Sequence, residues 1–320
     1  MRAGVLAAAA ALDLAVGDPD HPWHPVRRIG ALAGWAEARA RRDGRRPRLR
    51  GAGIVLVVVA ASWLAGQLLL KGAAWADEAL GFEGWAGFAA QVLMVWSCLG
   101  IRSMLDHARQ VLAPLAAGDL PAARAAVARI VGRDTADLDE RGVRRACLES
   151  VAESLGDGVM GPLFFAGLGG GPLALVYRAA NTLDSMLGHT DEHYRDLGWA
   201  SAKLDDVLSW IPARKAALFT IAAAASLGLD WRAAWAVPRR DARRQPSPNS
   251  GWPEGAFAGA LGVQLGGPLR YRGRTVEKAP LGEPRRPLNA AACGRGLQLF
   301  LAACLWAVFI DEALAWFGLG

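Results

Sequence analysis

The sequence predicts an all-α, multi-span integral membrane protein with cytoplasmic helical and loop regions. The chain of 320 residues is 53% hydrophobic and has a mean hydropathy of +0.19, although 21% of its residues are charged. Residues 51–70 carry no charge. At ~1.5 Å rise per residue, a helix of this length matches a hydrocarbon core of ~30 Å. Arginines are concentrated in blocks between the apolar runs, as in membrane proteins with basic cytoplasmic loops.

The remaining apolar runs suit a bilayer to different degrees. Residues 85–101 form a second, slightly short candidate span, and the run at about 293–317 is a marginal span with charged residues near both ends. The run 3–17 resembles the apolar region of a signal peptide. Because Asp13 interrupts it and no small-residue cleavage site follows, we predict an uncleaved first helix.

Two arginine-rich stretches predict the orientation. Residues 27–50 hold nine arginines, and 102–145 are again rich in arginine, so both are expected on the cytoplasmic side. The net acidic loop 71–84 is then external. The enrichment of arginine in cytoplasmic loops also explains the net charge of +6. Nucleic acid is not an expected partner, because no nucleic-acid-binding motif accompanies this charge.

Two further apolar runs leave the topology open. Residues 158–176 contain six glycines and two prolines, and 216–229 are short for a span. We favour broken or re-entrant helices buried against the bundle, which are tolerated where they line a cavity, and two spans are the alternative. Residues 102–145 read as soluble helix, and 238–292 as an irregular cytoplasmic loop with short elements.

The domain prediction is one membrane-embedded domain over residues 1–320. Its N-terminal part, 1–101, holds the first spans and the basic loop 21–50. Residues 102–215 carry most of the polar motifs, and 216–320 hold the C-terminal helices with the loop 238–292.

Polar residues recur at helical spacing in two segments. Arg145, Glu149, Glu153 and Asp157 follow one another every four residues, and Tyr177, Asn181, Asp184 and Gly188 also share one helical face. Carboxylates and amides are hard oxygen ligands that suit Mg²⁺. The alternatives are a solvated stripe with one Arg–Glu pair for the first segment and a buried, hydrogen-bonded polar pair for the second.

Two smaller polar groups complete the candidates. Asp205 and Asp206 point about 100° apart on a helix, so at most one of them faces a given site. His21 and His24 lie in a proline-rich turn, where anion binding is at least as well supported as zinc binding. The four cysteines lack zinc spacing, and there is no P-loop, GxSxG or HExxH motif.

Taken together, these motifs resemble the adenosylcobinamide-phosphate synthases of cobalamin biosynthesis. The matching segments run in family order across almost the whole chain, at 12–30, 130–139, 149–165, 177–189, 194–214 and 247–267 followed by "YRGR". In two places the chain departs from the family pattern. Ser154 stands where the family usually has asparagine, and Gly188-His189 replaces a common Gly-Tyr.

The resemblance implies a multi-pass enzyme of the bacterial inner membrane with its active site facing the cytoplasm. It implies an ATP-dependent, Mg²⁺-assisted ligase that joins adenosylcobyric acid to (R)-1-amino-2-propanol or its O-phosphate through an amide bond. Membrane lipid and other late cobalamin-pathway membrane enzymes are the further expected partners. A membrane transporter of a corrinoid or other solute and a non-catalytic scaffold are the alternative functions.

Candidate roles follow from the resemblance and from the residue types. The expected catalytic residues are Glu153, Asp157, Asp184 and Asp134, where Asp134 or a histidine takes the amine proton. The expected substrate- and phosphate-binding residues are His24, Arg27, Arg133, Arg145, Arg178, Asn181 and Arg214. The expected metal ligands are Glu149, Glu153, Asp157, Asp184, Asp205 and Asp206.

Overall fold

The computed structural model describes residues 4–19, 21–41, 46–189, 191, 193–271 and 273–316, so Arg42 and Arg45 of the basic stretch lie outside the described residues. The helices are α1 Val5–Val16, α2 Pro25–Arg41, α3 Pro47–Leu80, α4 Trp85–Trp96, α5 Ile101–Ala116, α6 Leu120–Val127, α7 Glu140–Ser154, α8 Gly161–Leu187, α9 Trp199–Leu208, α10 Trp210–Ser226, α11 Trp231–Asp241, α12 Gly251–Leu261 and α13 Ala290–Trp316. A π-helical segment, Leu155–Met160, follows α7, and a 3-10 turn, Ala242–Arg244, follows α11. The short strands are β1 Leu265–Gly266, β2 Leu269–Tyr271, β3 Arg274–Val276 and β4 Pro280–Leu281.

The all-α membrane fold class is confirmed. In the described residues, four helical stretches are long and apolar enough to cross a membrane: Pro47–Leu80, Trp85–Ala116, Glu140–Leu187 and Ala290–Trp316. They include the predicted spans 51–70 and 85–101 and most of the marginal last run. The bent pair formed by α9 and α10 counts as a fifth candidate if it is one broken span. Whether α8 and α10 span or re-enter stays a prediction.

Helix α3 has the surface expected of a lipid-facing span. Its most apolar window has a mean hydropathy of 2.2, and only 22% of that window is buried by other protein atoms. Leu56, Leu68 and Trp75 are 70%, 58% and 69% exposed. A row of large apolar side chains along one helix forms an extended exposed patch, which a hydrocarbon environment covers.

The described residues form two compact units. The first contains residues 1–99, 161–209 and 308–320. In its core, Ile29 and Ala33 of α2 meet Ile54 and Val58 of α3 and Leu183 of α8. Small residues bring these helices close together. A Cβ at Gly66 of α3, for example, would lie 2.9 Å from the Cα of Pro172 on α8.

A break divides α8 within the first unit, as expected for a broken helix. Gly169 and Gly170 leave helical geometry, and Gly170 has φ +73°. The side chain of Gln91 on α4 fills the gap, and its Oε1 accepts a hydrogen bond of 2.6 Å from the Gly171 N–H. A backbone donor released by a break must find a partner when water is excluded, and Gln91 supplies it.

The charge near the end of α13 also has a structural explanation in the first unit. Both carboxylate oxygens of Glu312 accept hydrogen bonds from the start of α1, at 2.8 Å from the Gly4 N–H and 2.9 Å from the Ala7 N–H. Glu312 therefore satisfies donors that have no partner within α1 and complements its helix dipole. The α1 helix itself has the predicted position.

The second unit contains residues 100–160 and 210–307 and corrects the prediction for 238–292. The predicted short elements occur there, but residues 251–261 form a buried helix instead of an irregular loop. In α12, all residues except Trp252 are buried. Its glycines allow this packing, because a Cβ at Gly255 would lie 3.0 Å from Pro238 Cα and one at Gly259 would lie 2.3 Å from the Ala233 carbonyl oxygen. A high glycine content predicts a loop from sequence alone, whereas in α12 it permits close helix packing.

Two antiparallel strand pairs follow α12. Strand β1 pairs with β4, with Leu265 opposite Leu281, and β2 pairs with β3 in a hairpin with Leu269 opposite Val276. Strand β1, which follows α12, packs against α7.

We expect Gly51→Ala to destabilise the protein by about 1–3 kcal/mol. A Cβ at Gly51 would lie 1.9 Å from the backbone oxygen of Leu197, which cannot move independently of its chain. Gly53→Ala is the matched control, since no atom lies within 4 Å of its Cβ position on the same helix. Thermal unfolding in detergent measures both variants. Equal stability of the two variants would contradict the packing described for α3.

Candidate functional site

In the first unit, one face of α8 carries a hydrogen-bonded polar row that continues onto α9. The Tyr177 hydroxyl lies 3.0 Å from Ser209 Oγ, and the Asn181 Nδ2 donates to Asp205 Oδ1 over 3.4 Å. Ser209 Oγ lies 3.4 Å from Asp205 Oδ2. Tyr177 and Asn181 thus share the predicted face, and Asp205 is held by Asn181 of α8 and by Ser209, the residue that follows α9.

Local packing explains why the neighbours of this row are small. Tyr177 is fully buried and its ring stacks on Phe165 with centroids 5.1 Å apart. A Cβ at Gly161 would lie 2.1 Å from that ring. At the end of α8, a Cβ at Gly188 would lie 1.9 Å from Asp184 Oδ1. The glycines therefore make room for the polar side chains of this row.

The two adjacent aspartates on α9 have different surroundings, as their spacing predicted. Asp206 accepts a hydrogen bond of 2.9 Å from Lys203, an exposed side chain. Asp205 faces α8 and lies close enough to Asp184 for the two carboxylates to repel each other. Of the pair, Asp205 belongs to the polar row of α8 and α9.

A basic group from the N-terminal turn accompanies this row. His24 is 7% exposed, and its Nε2 lies 3.1 Å from Asp18 Oδ1. Burial lowers the pKa of His24; the Asp18 carboxylate opposes this, while Arg178 and Arg27 add to it. The imidazole, Arg27 and Arg178 are therefore electrostatic neighbours. We call the row of Tyr177, Asn181, Asp184, Asp205 and Ser209 together with His24, Arg27 and Arg178 the α8–α9 site.

In the second unit, Glu149 is held from several sides. One carboxylate oxygen accepts from the Gly266 N–H at 2.7 Å, and the other accepts a hydrogen bond from Arg133. Arg145 lies one turn before Glu149, with its Nε 4.0 Å from the carboxylate, and donates to the Gly266 carbonyl at 2.8 Å. Arg145 and Glu149 therefore form the Arg–Glu pair that the sequence left open. Because both side chains also bond to the Gly266 backbone, they connect α7 to β1.

A buried ion pair adjoins Glu149 in the second unit. Lys278 Nζ donates to both carboxylate oxygens of Glu254, at 3.1 and 3.0 Å, and Glu254 is 1% exposed. Burial raises the pKa of Glu254 to about 8; Lys278 lowers it, and Glu149 and Glu153 raise it. Burial lowers the pKa of Lys278, but these carboxylates outweigh that effect and raise it. Glu153 interacts electrostatically with Lys278, Glu149 and Arg133, and its side chain is exposed. We call Arg133, Glu149, Glu153, Glu254 and Lys278 the α7–α12 cluster.

The remaining predicted residues of the second unit have other surroundings. Asp134 accepts a hydrogen bond of 2.7 Å from the Gly273 N–H and so holds the turn between β2 and β3. The Arg214 guanidinium lies over the rings of Trp210 and Trp252, 4.0 and 4.8 Å from their centroids. Arg214 also donates to Asn249 Oδ1 at 3.3 Å.

A change of helix type separates Asp157 from the carboxylates before it. The α-helical part of α7 ends at Ser154, and Asp157 lies in the π-helical segment. The predicted spacing of Arg145, Glu149 and Glu153 is thus present within α7, and Asp157 follows them in a stretch of different helical pitch. Ser154 lies beside this segment, since a Cβ at Gly158 would be 2.9 Å from Ser154 Oγ.

The fit of Mg²⁺ differs between the two units. Among the described residues, no group of three or more His, Cys, Asp or Glu side chains is arranged to hold a metal ion. Glu149 and Glu254 are already matched by cations of the chain. Asn181, Asp184 and Asp205 supply oxygen donors and include two carboxylates that repel each other, a donor set that suits Mg²⁺ held partly by substrate phosphates.

Sequence reasoning missed Glu254, Lys278, Ser209 and the Tyr177–Ser209 contact. A signal was present for Glu254, which is a lone carboxylate in the Gly- and Ala-rich stretch 251–261, the same pattern that singled out Asp184. Lys278 gave no such signal, because it stands among other charged residues in 270–278. Only the return of the chain after the hairpin brings it to Glu254.

Comparison with known proteins identifies the family. A family model described as "CobD/Cbib protein" matches residues 6–300. The chain belongs to the CobD/CbiB family. The family's role is in cobalamin biosynthesis, and the chain is a membrane protein of that pathway. No solved structure matches it.

Relatives from the CobD/CbiB family cover nearly the whole chain. A "Cobalamin biosynthesis protein CobD" of Geobacter metallireducens is 44% identical over 302 residues, which are 94% of this chain and 93% of the relative. One of the same name from Rhodobacter capsulatus is 42% identical over 96% of this chain and 99% of its own. A "Cobalamin biosynthesis protein CbiB" of Salmonella arizonae is 39% identical over 92% and 95%.

We expect Lys278→Met to destabilise the protein by about 3–5 kcal/mol, because it leaves the buried Glu254 carboxylate without its cation. Without the ammonium, the pKa of Glu254 stays above its unfolded value, so the folded state holds the proton more tightly. The variant's stability is therefore greatest below about pH 4.3, the ordinary pKa of glutamate, and falls as the pH rises from there toward 9, so it is lower at pH 9 than at pH 6. Thermal unfolding in detergent at pH 6 and pH 9 measures this.

Two controls accompany this variant. Lys203→Met breaks an exposed pair, which water screens, and should leave the unfolding temperature nearly unchanged at either pH. The double variant Lys278→Met/Glu254→Gln should lose the added pH dependence, because the titrating carboxyl is gone. A Lys278→Met protein as stable as Lys203→Met would show that the ion pair does not form.

Proposed function

We propose that the protein is an ATP-dependent ligase that forms the amide bond between adenosylcobyric acid and (R)-1-amino-2-propanol or its O-phosphate. Membership in the CobD/CbiB family supports the pathway. The observation that carries the reaction type is the α8–α9 site, where Arg178 donates to Asn181 Oδ1 at 3.3 Å, Asn181 donates to the Asp205 carboxylate, and Arg27 is a second cation near His24. Opposite charges side by side suit a phosphate bound together with a divalent cation.

The residues of the α8–α9 site divide into two roles. Arg178 and Arg27 bind phosphate oxygens, since guanidinium groups donate several hydrogen bonds to phosphate. Asp184 and Asp205, with Asn181, would hold Mg²⁺, which neutralises phosphate charge when bound. Ser209 and Asn181 orient the Asp205 carboxylate through the contacts of 3.4 Å described above.

Amide formation also needs an activated carboxyl and a neutral amine. Phosphoryl transfer from ATP to the substrate carboxylate creates an acyl phosphate and releases ADP. The amine nitrogen then attacks the acyl carbon, phosphate leaves, and one proton must be taken up. His24 suits that proton, because burial lowers its pKa and keeps it neutral near pH 7, while Asp18 orients the ring. Asp134, the earlier candidate, is engaged with the β2–β3 turn.

Reconstitution tests the proposal. Purified protein in detergent is given adenosylcobyric acid, aminopropanol phosphate, ATP and Mg²⁺, and the amide product is detected by mass spectrometry. We expect product with ATP and Mg²⁺ and none after chelation of the metal. Turnover in detergent solution, where no compartments exist, also separates the ligase from the alternative of a transporter. No product where a CobD or CbiB relative is active would reject the ligase.

Variants test the residues. Asp184→Asn and Glu153→Gln should each lower product formation by at least about 100-fold while the protein stays folded, because Asp184 is a proposed Mg²⁺ ligand and Glu153 is the candidate catalytic carboxylate of the α7–α12 cluster. Matched controls are Asp106→Asn and Glu140→Gln, which remove exposed carboxylates paired with neighbouring arginines. Full activity of both Asp184→Asn and Glu153→Gln would refute the proposed roles.

The orientation in the bacterial inner membrane is also a proposal. Reporter fusions at residue 80 should be external and those at residue 195 cytoplasmic, because the basic stretches before α3 and after α4 are expected inside. An external reporter at 195 would mean that α8 spans the membrane, and it would contradict a cytoplasmic active site.

A further inference from the structure

A basic cavity in the second unit shares no lining residue with the α8–α9 site or the α7–α12 cluster. Its volume is about 420 Å³, within the ~300–1,000 Å³ of small-molecule pockets. Arg141 of α7 lines one part of the cavity, and Arg285 and Arg286, from the segment after β4, line another. Gln264, which lies between α12 and β1, also lines it. The lining contains three guanidinium groups and no carboxylate.

Two of the three guanidinium charges of this cavity have no ion-pair partner among the described residues. Arg285 is paired, since its Nε and Nη2 lie 3.1 and 3.0 Å from Glu283 Oε2. Within the part of the chain that the structure describes, no carboxylate forms an ion pair with Arg141 or Arg286. Like charges that converge on one cavity repel each other, and an anion in the cavity relieves that repulsion.

The backbone that carries these arginines is constrained. The Arg286 N–H donates to the Gly262 carbonyl at 2.8 Å, and Gly262 ends α12 in the left-handed conformation with φ +66°. Pro284 and Pro287 flank the arginine pair and restrict its backbone. Arg141 lies in the first turn of α7, where the helix dipole adds positive potential. The backbone at these arginines is thus held in place, while their exposed side chains reach the cavity.

We propose that this cavity binds a phosphate-bearing ligand through Arg141 and Arg286, with Arg285 and Gln264 at its edge. Guanidinium groups match phosphate oxygens with paired hydrogen bonds, and such recognition favours phosphate esters and polyphosphates over monovalent anions. A soluble phosphate ligand and an anionic lipid headgroup share this chemistry. The site does not depend on the proposed amide-forming reaction, and none of its lining residues has a role in that proposal.

Calorimetric titration of the purified protein with inorganic pyrophosphate tests the soluble source. The double variant Arg141→Ala/Arg286→Ala should weaken pyrophosphate binding at this cavity by at least about tenfold. The control Arg243→Ala/Arg274→Ala removes two exposed arginines that do not line the cavity and should bind as the unaltered protein does. In an Arg178→Ala background, binding at the cavity should persist, which separates this site from the α8–α9 site.

Lipid nanodiscs test the other source. Phosphatidylcholine nanodiscs with and without phosphatidylglycerol are compared by mass spectrometry of the lipid retained on the protein. Retention of phosphatidylglycerol that is lost in Arg141→Ala/Arg286→Ala, together with no pyrophosphate binding, assigns the cavity to a lipid headgroup. If the double variant changes neither pyrophosphate binding nor lipid retention, the proposal is overturned.

Discussion

Polar groups set within an apolar helical chain must find partners inside the protein, and much of this structure follows from that requirement. An unpaired donor or charge costs several kcal/mol where water is excluded. Gln91 accepts a hydrogen bond from the N–H released by the break in α8, and Glu312 accepts hydrogen bonds from the N–H groups at the start of α1. The break that lets α8 bend is therefore possible only because α4 supplies a matching side chain.

The same requirement organises both candidate sites, with different outcomes. In the α7–α12 cluster, Glu149 is paired with Arg133 and Glu254 with Lys278. These ion pairs hold the second unit together and leave little unbalanced charge for a ligand. In the α8–α9 site, Asp184 and Asp205 repel each other beside His24, Arg27 and Arg178. A site that leaves its charges incompletely matched is better prepared for a charged ligand than one that is already neutralised.

Close helix packing makes these contacts possible. Gly161 admits the Tyr177 ring, Gly188 leaves room for Asp184, and Gly255 and Gly259 let α12 settle against α11. Glycine weakens an isolated helix, yet it allows backbones to approach in a membrane protein. The prediction of an irregular loop with short elements at 238–292 was wrong for residues 251–261 for this reason, because glycine content looks the same in a loop and in a closely packed helix.

The sequence by itself determined the fold class, the first spans, the helical face of Tyr177, Asn181 and Asp184, and the division between Asp205 and Asp206. These features depend on length, hydropathy and the fixed periodicity of a helix, all of which are local. Tertiary structure alone decided that Lys278 reaches Glu254, that Gly266 holds Glu149, and that Asp157 lies in a π-helical segment rather than in the α-helix of Glu149 and Glu153. Such pairings join residues that are distant along the chain, or depend on a local change of helix pitch, and helical periodicity carries no information about either.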